Sequence, residues 1–314
     1  MVDSVITSEE PIGFIGLGRM GSPMAMRLIR SGFPLVVCDV NIQVQHKFRA
    51  AGARVVDHPA AVGEAVSTTL LCLPDPATVQ TVLFDDDGLA HGRKLQSVID
   101  FSTIGPSQAR TIAHDLEGRG KSYIDAPVTG GISGAEQGDL TMMLGATDSM
   151  YETLRPLLSC MASRLVLAGP RPGNGQLMKV LNNLLSFVAL AATAEAMALG
   201  VKGGLSPESM LYAFNHGSGR NSATEEKFPR AVLTRSFDYG FPVDGVVKDM
   251  ELCLHEGASL RVPMPIGQSV LQLWRIAATA HGSEDMTSIM KLFEDWVDVE
   301  VHAGVAERRD LKEE

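Results

Sequence analysis

Hydrophobic and polar positions follow two regimes along the chain. In the first half, short β-branched or leucine-rich runs alternate with amphipathic segments. The runs at 12–15, 35–38, 54–56, 68–73, 97–100 and 123–125 predict strands. Segments 21–31, 44–51, 76–82 and 107–117 carry helical spacing and predict helices between them. That alternation predicts a parallel sheet with helices on both faces. Residues 140–144 and 164–167 add strands at one edge, with a helix over 148–158 between them. After the turn-rich tract GPRPGNG at 169–175 the pattern changes. From Gln176 to Lys202 the apolar spacing is helical, and almost everything beyond reads as helix broken by Gly, Pro and Asn. The expected architecture is α/β, with two domains at 11–172 and 173–314, the second all-helical.

Length and composition agree with that division. The chain has 314 residues, 45% hydrophobic and 20% charged, which suits a globular protein of two domains. Its formal net charge of −10 argues against non-specific affinity for nucleic acid or an anionic membrane, while leaving room for a local basic pocket. Cys38, Cys72, Cys160 and Cys253 are widely spaced and form no CxxC pair, so neither disulfides nor a zinc site are expected, and a reducing cytoplasm is. The first ten residues lack a basic start and an apolar core, so they read as a short tail and not a secretory signal. Residues 307–314 read as a solvated terminus. The longest apolar stretch, 184–201, contains Glu195 and fits a buried helix better than a membrane span. No internal repeat, heptad pattern or low-complexity block is present. The eight histidines form no H-x-x-H pair, so no metal site is expected, and no G-x-S-x-G elbow supports serine hydrolase chemistry.

The first strand runs into G-x-G-x-x-G at Gly16, Gly18 and Gly21, followed by the helical run 22–29. Alone this pattern is weak; a strand before it and a helix after it supply the context of a Rossmann-type dinucleotide site. Gly16 permits the tight turn, Gly18 lets the backbone approach a pyrophosphate, and Gly21 allows helix to pack on strand. Asp39 ends the next strand, 23 residues beyond Gly16. Its carboxylate either accepts hydrogen bonds from the adenine ribose hydroxyls or merely starts the next turn. The first reading favours NAD over NADP, because no arginine follows within residues 40–45 to receive a 2′-phosphate.

The helix after the junction carries Lys179 and Asn183 four residues apart on one face, with Asn182 beside them, in almost wholly apolar surroundings. A lysine in such a helix either snorkels to solvent near the helix start or is buried for a task. Desolvation lowers a lysine pKa towards neutrality, where it exchanges protons efficiently, as hydride transfer to or from an alcohol carbon requires. Upstream, Asp125-Ala-Pro-Val-Thr129-Gly130-Gly131 follows a strand. It offers a hydroxyl and two unencumbered amides for a carboxylate, or is simply a glycine turn.

These motifs together resemble the β-hydroxyacid dehydrogenase family, which includes 3-hydroxyisobutyrate dehydrogenase and tartronate semialdehyde reductase. GFIGLGRMGSPMAMRL (13–28) is similar to its cofactor motif, which takes in Arg19 and Met20, and Leu73-Pro74 to its cofactor-contacting strand end. DFSTIGP (100–106) resembles its nicotinamide-side turn, with Thr103 touching the cofactor. DAPVTGG (125–131) resembles its substrate motif, with Thr129 where serine is usual, and GNGQLMKVLNN (173–183) its catalytic motif. Lys248-Asp249-Met250 resembles its late K-D-L, whose lysine reaches the cofactor.

The resemblance implies an oxidoreductase moving a hydride between NAD(H) and a small β-hydroxy acid or its semialdehyde. Lys179 would be the acid/base and Asn183 its partner, with Thr129, Gly130 and Gly131 holding the carboxylate. It also implies an all-helical second domain entered by a long helix, and a homodimer or homotetramer. The related 6-phosphogluconate dehydrogenases are much longer. Imine reductases, and non-catalytic NAD-binding scaffolds or sensors on the same fold, are the competing readings; both typically lack the lysine. Arg220, in the polar loop 216–221, is a candidate second substrate contact or an ordinary surface arginine. Asp285 lies in a polar segment that either approaches a neighbouring subunit's site or caps a helix.

Overall fold

The computed structural model describes residues 10–304, so the expectations for the N-terminal tail and for residues 307–314 lie outside the described residues. Two compact units divide between Leu181 and Asn182. This division falls inside one continuous helix, whereas the turn-rich tract that set the expected boundary at 172/173 precedes that helix.

In the first unit, strands β1 (Ile12–Ile15), β2 (Leu35–Cys38), β3 (Arg54–Val55), β4 (Thr68–Leu71), β5 (Ser97–Asp100) and β6 (Ser122–Asp125) form a parallel array in the order β3-β2-β1-β4-β5-β6. The sheet continues through β8 (Leu140–Gly145), which runs antiparallel to β6 and to the short β7 (Val128–Thr129) and parallel to β9 (Ala162–Gly169). The helices between the strands are α1 (Gly21–Arg30), α2 (Ile42–Ala50), α3 (Pro59–Ala65), α4 (Pro76–Phe84), α5 (Pro106–Glu117), α6 (Gly131–Gln137) and α7 (Asp148–Leu158).

Strand period explains why this sheet needs cover on both sides. Phe14, Val37, Leu70, Ile99 and Ile124 join one apolar cluster, with Met24 and Leu28 of α1. Their strand neighbours Ile15, Val36, Leu71, Val98 and Tyr123 join the other, with Val79, Leu83, Ile112 and Leu116. Successive side chains on a strand point to opposite faces, so a strand apolar at every position must be covered twice. The unanticipated helix α3 begins with Pro59 after His58, whose Nδ1 accepts from the Ala61 amide at 3.3 Å. Its alanine-rich sequence has too little polar contrast to show a helical period.

Helix α8 (Asn174–Lys202) begins in the first unit and continues into the second. There follow α9 (Pro207–His216), a π-helix (Ala223–Val232), α10 (Val243–Ser259), α11 (Pro265–His281) and α12 (Ile289–Val297). Among the described residues this unit holds no named strand, only the isolated bridge Pro242–Asp285. By length and composition α8 is apolar enough to cross a membrane. In the second unit it serves as a core helix, placing Phe187, Leu190, Ala194 and Met197 against Trp274, Met250 and Phe228.

Candidate active site

The dinucleotide motif lies where strand β1 gives way to α1. Gly16 adopts φ +89°, and a Cβ there would strike the Cys72 carbonyl oxygen. A Cβ on Gly21 would strike the carbonyl oxygen of Gly16, so strand and helix cross at a distance only glycine allows. Gly18 differs: a Cβ there meets nothing within 4 Å, and its backbone is open to a ligand. Arg19 beside it is exposed and Met20 half-buried. Helix α1 has no acidic residue in its first turn and no side-chain cap, while Arg27 and Arg30 occupy its last turn. The positive end of its dipole therefore meets neither a first-turn acid nor a side-chain cap, and suits an anion.

Asp39 is half-buried at the end of β2. Its Oδ2 accepts from the Leu17 amide at 2.6 Å and its Oδ1 from the Asn41 amide at 2.8 Å. The carboxylate thus starts the next turn and also ties that turn to the glycine loop. Burial and the neighbouring Asp39 charge push the Cys38 thiol up to about 11, so it stays protonated there. Leu73 and Pro74 follow β4, and the Leu73 amide donates to Ser102 Oγ at 2.8 Å. Thr103, half-buried, stands next in the turn after β5. The residues expected to hold the cofactor from the first unit therefore gather at the C-terminal ends of adjacent strands β2, β1, β4 and β5. Ligands bind at that edge in open α/β sheets.

The turn after β5 is braced by groups whose role the sequence did not reveal. Gln176, fully buried in the first turns of α8, accepts at Oε1 from the Ile104 and Gly105 amides at 3.0 and 3.1 Å. Its Nε2 donates to the Ser102 carbonyl at 2.7 Å. Asp125 is paired in register with Asp100 across β5 and β6. It accepts from the Gly173 and Gln176 amides, each at 2.8 Å, and so anchors the start of α8. Asp100 accepts from the Ser102 amide at 2.8 Å and from Tyr123 Oη at 2.9 Å. Desolvation pushes both carboxyls up to about 6, against the opposing pull of these hydrogen bonds.

In the substrate motif, Val128 and Thr129 pair with β8, and Gly130 and Gly131 follow at φ +124° and +66°. Both glycines are exposed and Thr129 is half-buried. The expected turn exists, but it opens directly into α6, a helix that the two glycines disguise in sequence.

Lys179 does not snorkel; it is only 8% exposed, as is Asn183 one turn further along α8. Asn183 Nδ2 donates to Asp249 Oδ2 at 2.7 Å, and its Oδ1 accepts from Asn182 Nδ2 at 3.2 Å. Asp249 is itself buried, with Lys248 Nζ 3.1 Å from its other oxygen. The sequence motif assigned a role to Lys248 but none to Asp249, because an acid in a helix beside a lysine is ordinarily a surface pair. Arg220 is exposed, and its Nε pairs with Glu225 at 2.6 Å. Asp285 behaves as a cap, accepting from the Thr287, Gly240 and Phe241 amides. Among the described residues, no cluster of three or more His, Cys, Asp or Glu is placed to hold a metal.

Residues 11–169 match the NAD binding domain of 6-phosphogluconate dehydrogenase, and 173–293 the NAD-binding domain of NADP-dependent 3-hydroxyisobutyrate dehydrogenase. The chain is 36% identical over 295 residues to 2-(hydroxymethyl)glutarate dehydrogenase of Eubacterium barkeri, covering 93% of this chain and 98% of that protein. The chain belongs to the β-hydroxyacid dehydrogenase family. This β-hydroxyacid dehydrogenase is also 34% identical over 294 residues to mitochondrial 3-hydroxyisobutyrate dehydrogenase of Mus musculus, covering 91% of this chain and 88% of the other. Among solved structures it resembles Mycobacterium tuberculosis 3-hydroxyisobutyrate dehydrogenase with L-serine, at a TM-score of 0.82 and 28% identity, over 90% and 98% of the two chains. Family members of this kind are NAD(P)-dependent oxidoreductases acting on the CH–OH group of hydroxy acids.

Proposed function

We propose that this β-hydroxyacid dehydrogenase catalyses the reversible oxidation of a small β-hydroxy acid to its oxo acid or semialdehyde, with Lys179 as general acid/base. The observation that carries this reading is the burial of Lys179 on an apolar helix, one turn from an asparagine whose amide is fixed by a buried carboxylate. In oxidation Lys179 Nζ takes the hydroxyl proton, and in reduction it returns one to the carbonyl oxygen. Asn183, oriented by Asp249, holds the reacting oxygen in line with that proton. Thr129 Oγ1 and the amides at Gly130 and Gly131 hold the carboxylate. The retained lysine favours this chemistry over imine reduction and over a non-catalytic NAD sensor.

The glycine loop from Gly16 to Gly21, Asp39, Leu73, Pro74 and Thr103 would hold the dinucleotide, whose nicotinamide accepts or returns the hydride. We infer NAD in preference to NADP. The carboxylate of Asp39 repels a 2′-phosphate, and residues 40–45 offer no arginine to receive one. The hydroxy acids in the two relatives' names both carry a primary alcohol β to a carboxylate, in one case with a second carboxylate and in the other without. A primary alcohol β to a carboxylate is therefore the substrate core we assign here.

Residues 11–172 serve as the dinucleotide domain and 173–314 as the substrate and oligomerisation domain in this reading. Leu181, Leu185 and Leu199 stand exposed along one side of α8, which supports a homodimer or homotetramer. Four free cysteines support a cytoplasmic setting. The test is NADH formation against 3-hydroxyisobutyrate, 2-(hydroxymethyl)glutarate, 4-hydroxybutyrate, glycerate, threonate and serine. Turnover of one of these with NAD is expected, and no turnover with either dinucleotide would overturn the assignment.

A further inference from the structure

Besides Lys179, a second lysine of this enzyme is buried: Lys227, 2% exposed, midway along the π-helix. Its Nζ donates to Ser222 Oγ at 2.8 Å and to Ser186 Oγ at 3.1 Å, and lies 5.4 Å from the centroid of the Tyr239 ring. An ammonium has three N–H donors, and two hydroxyls occupy two of them. Among the described residues no carboxylate forms an ion pair with it. The adjacent Glu226 carboxylate accepts instead from Tyr239 Oη at 2.8 Å. Arg230 lies over the same Tyr239 ring at 5.4 Å, so a second cation shares this surface. Burial pushes the Lys227 amine down to about 8, against the partial pull of Glu226 in the other direction. Neutral hydroxyls orient a buried cation but do not neutralise it, and a buried charge without a counter-ion is costly to maintain.

The position of that cation matters as much as its isolation. Ser186 lies three residues after Asn183 on α8, hence on the same face and about 4.5 Å further along the axis. Lys227 is thereby placed beside the stretch of helix that bears Asn183. π-helical segments are rare and concentrate at functional sites, because the extra residue per turn displaces side chains from where an α-helix would set them. Arg220, the earlier candidate for a second substrate contact, is exposed and already neutralised by Glu225. A buried cation lacking a carboxylate is better fitted to that work.

We propose that Lys227 receives a second carboxylate of the substrate, making this enzyme selective for a β-hydroxy diacid. The inference rests on the hydroxy-acid reading above and adds the chemical class of the substrate's far end. Ser186 and Ser222 hold the ammonium in place, and the incoming carboxylate takes its third N–H and supplies the missing negative charge. No bond is made or broken there; Lys227 is a binding residue.

The test uses the full enzyme with NAD and two unreactive ligands, glutarate and its monoamide glutaramate, which match in shape and differ by one charge. Calorimetry on the wild type should show glutarate binding at least about tenfold tighter than glutaramate, equivalent to about 1.4 kcal/mol. Lys227→Met should bring the two affinities together, while Lys227→Arg should keep the diacid preference. A purely structural role would weaken both ligands alike and leave their ratio unchanged. Equal binding of the two ligands by the wild type overturns the proposal without need of any variant. So does a preference that persists in Lys227→Met. Because hydroxy-acid turnover is measured separately, equal binding of the two ligands by a wild-type enzyme that still oxidises a monoacid with NAD would refute only the diacid assignment.

Discussion

Asn183 Nδ2 donates to Asp249 Oδ2 at 2.7 Å, so the amide that stands one turn from Lys179 cannot flip. With Nδ2 committed to Asp249 and Oδ1 to Asn182, the orientation of Asn183 is set before any substrate arrives. Asp249→Ala should free that amide and also leave Lys248 without its 3.1 Å partner. Misplacement of a positioning group by about 1 Å costs roughly a hundredfold in rate, and kcat should fall on that order. Steady-state kinetics with the true substrate checks this; an unchanged kcat would mean Asn183 needs no such support.

The glycine loop separates conformational need from ligand need. Gly16→Ala forces an L residue to φ +89° against the Cys72 carbonyl, and should lower stability by at least about 1–2 kcal/mol. Gly18→Ala meets open space, and should melt with the wild type yet bind NAD weakly because its methyl occupies the ligand's approach. Melting curves with and without NAD distinguish the two. Equal destabilisation by both would contradict the assignment of Gly18 to the ligand.

Asp100 and Asp125 face each other across adjacent strands, each pushed up to about 6 chiefly by desolvation. A carboxyl with a raised folded pKa holds its proton more tightly in the native state. Its contribution to stability is therefore complete below the unfolded value of about 4 and is lost as pH rises through about 6. Asp100→Asn imitates the protonated acid and removes that loss. Its melting temperature relative to wild type should rise between pH 4 and 7, and parallel curves would show that Asp100 is not the titrating group.

Much of this was legible in sequence, and the gaps have physical reasons. Strands β1, β2 and β5 fall at the expected residues because each places apolar side chains in the clusters on both faces of the sheet. Helix α6 was hidden because Gly130 and Gly131, needed at positive φ, look like an ending and are instead a beginning. Gln176 read as an ordinary polar residue near a helix start. Its three hydrogen bonds to residues 102–105 exist only after two distant segments meet. Arg220 attracted notice for its charge in a glycine-rich loop. Burial, which sequence spacing does not report, belongs to Lys227 seven residues later.

Lys179 moves the proton while the dinucleotide is held elsewhere in this mechanism. Lys179→Ala tests it most directly, through turnover of the hydroxy acid and the Kd for NAD measured on one preparation. General acid/base catalysis contributes about 10²–10⁴-fold, so kcat should fall by that factor while the Kd for NAD stays at the wild-type value. Turnover close to wild type in this variant would show that Lys179 is not the acid/base.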